Sequence, residues 1–211
     1  MSESSTIAVA MSGGVDSSVA AALTANGDRQ VIGFSMQLFK GGAGSPERTS
    51  RCCSAEDFRD ARSVAAKLEI PYYVLDMQEA FRRQVLDPFT EDYLAGRTPS
   101  PCIRCNTFLK FGNLLERAIT VGANSIATGH YAILEEDQAS GRTLLRRAVD
   151  RDKDQSYYLF DLSEGQRRRV EFPLGRLTKG EVREIAREMG LGTAEKPESM
   201  DLCFVPKGEI H

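Results

Sequence analysis

The chain has 211 residues, 27% charged and 41% hydrophobic, with a formal net charge of −3 at pH 7. That length allows one sizeable α/β domain, or a domain with an appendage, and the composition is ordinary for a soluble globular protein. No apolar run approaches the ~20 residues of a membrane span, and MSESST lacks the layout of a secretory signal, so no membrane association is expected. Five cysteines without a signal point to a reducing, cytoplasmic setting, and an odd count argues against a disulfide scaffold. The net charge offers no global sign of nucleic acid. RTLLRRAVDRDK (142–153) and GQRRRVEF (165–172) are locally basic, and a solvated, salt-bridged face explains them as well as a phosphate-binding patch does.

In chain order, residues 7–20 read IAVAMSGGVDSSVA. Ile7, Val9 and Met11 suit a buried strand, and Val15, Val19, Ala22 and Leu23 fall on one face of a helix. The Gly-Gly pair between them lets the backbone turn sharply and approach a ligand. Its amides, with a helix N-terminus behind, form a site for an anion such as phosphate. VIGFSMQLF (31–39) follows as a strand, and GGAGSPERTS (41–50) as a loop. The next helix opens with a Ser54/Asp57 cap and places Phe58, Ala61, Ala65 and Leu68 on one face. A strand at 71–76 leads into helix from Ala80 to Leu94, with a break expected near Pro88. GRTPSPC (96–102) is too proline-rich for regular structure, so helix is expected to resume at Cys105 and run to about Val121. SIATGH (125–130) reads as a buried strand ending in a polar loop, and residues 131–149 as a hairpin. DQSYYLFDL suggests a short helix, with Tyr157, Tyr158 and Phe160 expected in the core. TKGEVREIAREMG carries a capping box (Thr178, Glu181) and a terminal Gly190. Strands and helices alternate, which predicts an α/β fold with a doubly wound parallel sheet and a small C-terminal hairpin and helical appendage. The expected division is residues 1–150 as the catalytic domain and 151–211 as a further segment.

The loop SGGVDSS adds hydroxyls and the carboxylate of Asp16 to its amides, and a phosphate site with a carboxylate commonly holds Mg²⁺ between them. No lysine follows the glycines, which excludes the Walker loop. The stretch resembles the PP-loop, SGGxDS, of the ATP pyrophosphatase superfamily, which cleaves ATP to AMP and pyrophosphate. Cys102 and Cys105 form C-x-x-C at a helix start, where a thiol's pKa falls. Taken alone, that motif fits half a zinc site, a redox pair or coincidence, with Cys203 as a possible third ligand. Cys52 and Cys53 are adjacent and read as structural, and His130 reads equally as a satisfied loop residue or a ligand contact.

GRTPSPCIRCN, ATGHYA, KDQSYYL, FPLGRLTKGEVREIA and the cysteine of DLCF follow SGGVDSSV in the order of the tRNA-specific 2-thiouridylase family. The resemblance runs from about Ile7 to Val205. It implies conversion of the wobble uridine of tRNA to 2-thiouridine, with ATP, Mg²⁺ and sulfur delivered as a persulfide by a donor protein. By the same resemblance the nucleotide is held by Ala10, Met11, Ser12, Gly13, Gly14, Val15, Asp16 and Ser17, with Met36 and Gly129. Cys203 carries the persulfide, and Cys105 is the second catalytic cysteine, forming a disulfide with it. Ser100, Pro101 and Cys102 lie beside the target base, and Lys153, Asp154 and Gln155 contact tRNA. Some members carry Asp where this chain has Cys102. Cys102, Cys105 and Cys203 offer an alternative in which three thiolates hold a [4Fe-4S] cluster. Family members continue well past the position of Cys203, which implies further domains. Two other readings compete: a PP-loop ligase such as a GMP or argininosuccinate synthetase, and a non-catalytic nucleotide- or tRNA-binding fragment.

Overall fold

The computed structural model describes residues 5–39, 54–198 and 204. Its central strand is β1 (Thr6–Ala10), flanked by β2 (Gln30–Gln37) and β4 (Ala123–Ala127). β3 (Tyr72–Asp76) lies outside β2, and β7, only Val170–Glu171, lies outside β4. Every pairing in this sheet is parallel, as the alternation of strands and helices predicts. β5 (Ala132–Asp137) and β6 (Arg142–Arg147) form the expected antiparallel hairpin apart from it.

Side-chain alternation along β1 splits the core between the two faces of the sheet. Ile7 and Val9 pack with Val19 of α1 (Val15–Ala25), Ala61 and Ala65 of α2 (Ala55–Lys67), and Val182 and Ala186 of α8 (Lys179–Glu188). Ala8 faces the other way, toward Phe34, Phe81, Leu109, Leu114 and Ile126. Both capping boxes read from the sequence form: Ser54 with Asp57 starts α2, and Thr178 with Glu181 starts α8. Gly190 closes α8 with φ +58°, a left-handed conformation that glycine adopts without strain.

The helices on the second face depart from expectation at their prolines. α3 (Gln78–Phe81) runs through a π-turn (Arg82–Leu86) into α4 (Asp87–Leu94), with no break at Pro88. Pro88 lies inside this continuous run, so its missing N–H withholds a donor from the helix. The carbonyl four residues before it, Gln84 O, accepts instead from Arg104 Nε at 2.7 Å. Likewise helix resumes at Pro101 rather than Cys105, because proline suits the first helical position. α5 (Pro101–Arg104) continues as a π-segment (Cys105–Leu114) and ends in α6 (Leu115–Thr120).

Tyr157 and Phe160 are 67% and 61% exposed, and Tyr158 is 39% exposed, against the expectation that all three are core. The segment Ser156–Leu159 is a 3₁₀ turn, whose three-residue period sends Leu159 and Leu162 inward and the aromatic residues outward. α7 (Glu164–Arg167), β7 and α8 then complete the sheet edge and the α1 face. Much of the basic sequence here is neutralised locally: Arg146 pairs with Glu135, Arg147 with Asp154, and Arg167 and Arg168 with Glu164. Among the described residues no helix is long and apolar enough to cross a membrane. The loop at 41–50, Cys52, Cys53 and Cys203 lie outside the described residues.

Candidate active site

The chain runs outward from β1 through β2 to β3 and returns on the other side of β1 as β4. That reversal opens a crevice at the carboxyl ends of β1 and β4, where ligands of open α/β sheets bind. The loop 11–14 leaves β1 at this point and Thr128–His130 leaves β4. The two meet without room for a side chain: a Cβ on Gly129 would lie 2.7 Å from both Asp16 C and Ser17 N.

Within the phosphate-type loop the two glycines serve different ends. Gly13 has φ +76°, and a Cβ there would collide with the backbone of Asp57 in the first turn of α2. Gly14 is the extended residue before α1, and no side chain caps that helix. The first-turn amides of α1 therefore remain for a ligand. Ser17 Oγ donates to Gly14 O at 3.0 Å and accepts from Ser12 N at 3.1 Å, which holds the loop in shape. Ser18 is buried and spends its hydroxyl on Gly14 O. Met36 lies one residue before the end of β2, and Ser35 Oγ donates to Met11 O at 2.5 Å.

Asp16 is bound on both oxygens. Lys179 Nζ lies 2.7 Å from Oδ1 and 2.8 Å from Oδ2, and Tyr131 Oη donates to Oδ1 at 2.8 Å. Burial first, and then the Asp16 charge, push the Tyr131 phenol up, so it stays protonated and donates. Lys179 also reaches Glu198 Oε1 at 3.1 Å, and Glu198 Oε2 takes Lys153 Nζ at 2.7 Å. Sequence reasoning did not single out Lys179 or Glu198 as site residues. A lysine 163 residues from Asp16 supplies the cation that the loop itself lacks.

A cavity of about 430 Å³ opens from this loop. Ala10, Met11, Ser12, Asp16 and Ser17 form one end, with Met36 and Gly129. Pro101, Cys102, Cys105, Asn106 and Lys110 form the helical wall, and Gln155, Tyr158 and Phe204 complete it. Gly13, Gly14, Val15, Ser100, Lys153 and Asp154 do not line it. Val15 is buried beneath the loop, Ser100 precedes α5, and Asp154 holds Arg147 Nε at 3.0 Å and Ala148 N at 2.8 Å.

His130 lies in the wall with both nitrogens engaged. Lys110 Nζ sits 3.2 Å from Nε2, and Thr128 Oγ1 2.6 Å from Nδ1. An ammonium only donates, so Nε2 is the acceptor and Nδ1 carries the proton toward Thr128. Burial, and secondarily Lys110, hold the His130 pKa well below the ordinary histidine range. Among the described residues no three His, Cys, Asp or Glu side chains gather as a metal site. Asp16 nevertheless retains one acceptor direction on Oδ2, enough for the single carboxylate bond that Mg²⁺ commonly takes beside substrate phosphates.

Residues 5–207 match the family model described as "tRNA methyl transferase HUP domain". The chain is 51% identical over 208 residues to a tRNA-specific 2-thiouridylase MnmA of Solibacter usitatus, covering 96% of this chain and 56% of that protein. It is 50% identical over 211 residues to the one of Leptospira biflexa, covering 99% of this chain and 55% of that protein. The chain thus spans little more than half the length of these relatives. Among solved structures it resembles a 4-thiouridine synthetase in an RNA complex with bound ATP, at a TM-score of 0.57 and 18% identity. That match covers 96% of this chain and 46% of the other, and at such low identity it shows the shared α/β fold alone.

Proposed function

The chain belongs to the tRNA methyl transferase HUP-domain family, and from that membership we propose that it carries out ATP-dependent 2-thiolation of the wobble uridine of tRNA in the cytoplasm. One observation carries the reading: the phosphate-type loop and the thiols of Cys102 and Cys105 open onto the same cavity. Methyl transfer needs no pyrophosphate cleavage. The relatives named 2-thiouridylase point to a chemistry that uses both the loop and the thiols.

The uracil C2 oxygen is a poor leaving group until it becomes a phosphate ester. The O2 atom attacks the α-phosphorus of ATP and pyrophosphate departs. The loop Ala10–Ser17, through the first-turn amides of α1, and the Lys179 ammonium stabilise the charge that develops on it. Mg²⁺ bound at Asp16 would add charge neutralisation to the phosphates. The outer sulfur of a persulfide on Cys203 then bonds to C2, and AMP leaves with the O2 oxygen. The Cys105 thiolate attacks the Cys203 sulfur, which breaks the persulfide bond. A Cys105–Cys203 disulfide forms, and the outer sulfur stays on C2. A thiol reductant reopens the disulfide, and a persulfide-bearing donor protein reloads Cys203. Phe204 lines the cavity together with Cys105, and Cys203 is its neighbour in sequence, which supports this pairing. Ser100, Pro101 and Cys102 would flank the base, and Lys153, Asp154 and Gln155 would meet the tRNA. Cys102 lies three residues before Cys105 on the same wall. That placement favours, as a second reading, a [4Fe-4S] cluster on Cys102, Cys105 and Cys203.

The test is tRNA nucleoside mass spectrometry in cells lacking the gene, complemented by variants. Cys105→Ser should abolish 2-thiouridine, whereas a PP-loop ligase would tolerate it. In a purified assay with tRNA, Asp16→Ala should stop pyrophosphate release while circular dichroism stays native. Unchanged release from a folded Asp16→Ala protein would overturn the assignment of the loop.

A further inference from the structure

Lys110 faces the cavity and pairs with no carboxylate among the described residues; its partner is the neutral ring of His130. A cation turned toward a cavity without a counter-charge is a place for an anion. The pyrophosphate end already has its own cation in Lys179, held on Asp16. Lys110 stands elsewhere. Through His130 it adjoins Gly129, whose backbone rests on the Asp16–Ser17 peptide. On its own helix it shares the cavity wall with Cys105 and Asn106. The π-geometry of Cys105–Leu114 accounts for this: hydrogen bonds between residues five apart bring positions 105 and 110 toward one face. In an α-helix the same two positions would diverge by roughly 140°. Lys110 therefore lies between the phosphate loop and the thiols.

We infer that Lys110 is the binding residue for the α-phosphoryl group, in a subsite separate from the loop that receives pyrophosphate. The inference rests on the nucleotide chemistry proposed above. The α-phosphorus is the one phosphate that must reach the base and later leave with AMP beside the sulfur. His130 aims the ammonium by accepting one of its protons, and leaves the charge on Lys110 undiminished.

AMP and magnesium pyrophosphate separate the two subsites, because AMP carries only the α-phosphate. Isothermal titration of the whole chain with each probe should show Lys110→Met weakening AMP binding about tenfold or more, the loss of one charge-assisted hydrogen bond. Pyrophosphate binding should be unchanged, which also reports an intact fold. Lys110→Arg should restore most of the AMP affinity, and Lys179→Met should show the opposite selectivity. Equal AMP affinity in Lys110→Met and wild type, or equal loss of both probes, would overturn the subsite. A wild-type chain that binds neither probe would overturn the nucleotide reading itself, and the subsite with it.

Discussion

Gly13 and Gly14 look alike in the sequence, yet the structure predicts opposite outcomes for the same substitution. Gly13→Ala must place a side chain at φ +76° against the α2 backbone. It should lose roughly 1–3 kcal/mol of stability in urea unfolding. Gly14→Ala has a negative φ and open space, with Ser12 Oγ nearest at 3.7 Å. Its stability loss should stay below about 1 kcal/mol, so any larger defect should appear in pyrophosphate release. His130 provides a second check. Its neutral ring should persist below pH 6.5, with the proton on Nδ1, in nitrogen-resolved NMR titration. The glycine pair is legible as a candidate phosphate loop because local sequence carries it. The reason for Gly13 is not, since Asp57 of α2 comes more than 40 residues further along. The neighbours of Lys110, Lys179 and Glu198 in the candidate site are illegible for the same reason: only tertiary packing gives an isolated lysine or glutamate its partner.

At the scale of elements, caps were readable and helix geometry was not. Ser54-x-x-Asp57 and Thr178-x-x-Glu181 bond within four residues, so their chemistry is complete in the sequence. Pro88 misleads because its effect depends on Arg104, a side chain on another helix, satisfying Gln84 O. Removing that donor with Arg104→Ala should loosen the helix near Pro88. Faster amide hydrogen exchange across 82–90 would report it. Glu164 ties α7 to the hairpin. It accepts from Thr143 N at 2.9 Å and pairs with Arg167 and Arg168. The Thr143 amide foremost, and then the arginines, hold its carboxyl at about 2, below the ordinary 4.5. A carboxylate lowered in the folded state stabilises above its unfolded pKa and ceases to as the pH falls through the folded one. The α7–hairpin contact should therefore weaken between about pH 4.5 and pH 2, visible as loss of Thr143 amide protection.

Over the whole molecule, the parallel doubly wound sheet follows from alternating strands and helices, and its switch point places the site. The two-residue β7 carries no periodic signal. It is fixed by Arg29, in the turn between α1 and β2, which holds both oxygens of Glu171 at 2.6 and 2.9 Å. The segment after α8 is fastened in a way that bears on timing. Lys179 divides its ammonium between Asp16 in the loop and Glu198, and Lys196 grips Asp57, the residue whose backbone backs Gly13. Five residues beyond Glu198 comes Cys203. A pyrophosphate that draws Lys179 away from Asp16 must also change its hold on Glu198, so the loop and residue 198 are linked. Such linkage is reciprocal: whatever repositions residue 198 must alter nucleotide affinity by the same factor. Magnesium ATP should therefore change the alkylation rate of Cys203, read peptide by peptide in mass spectrometry, and Glu198→Gln should flatten that response. If it does, the persulfide role proposed for Cys203 comes under the control of the nucleotide. Persulfide would then be shielded from stray thiols until an activated base is waiting.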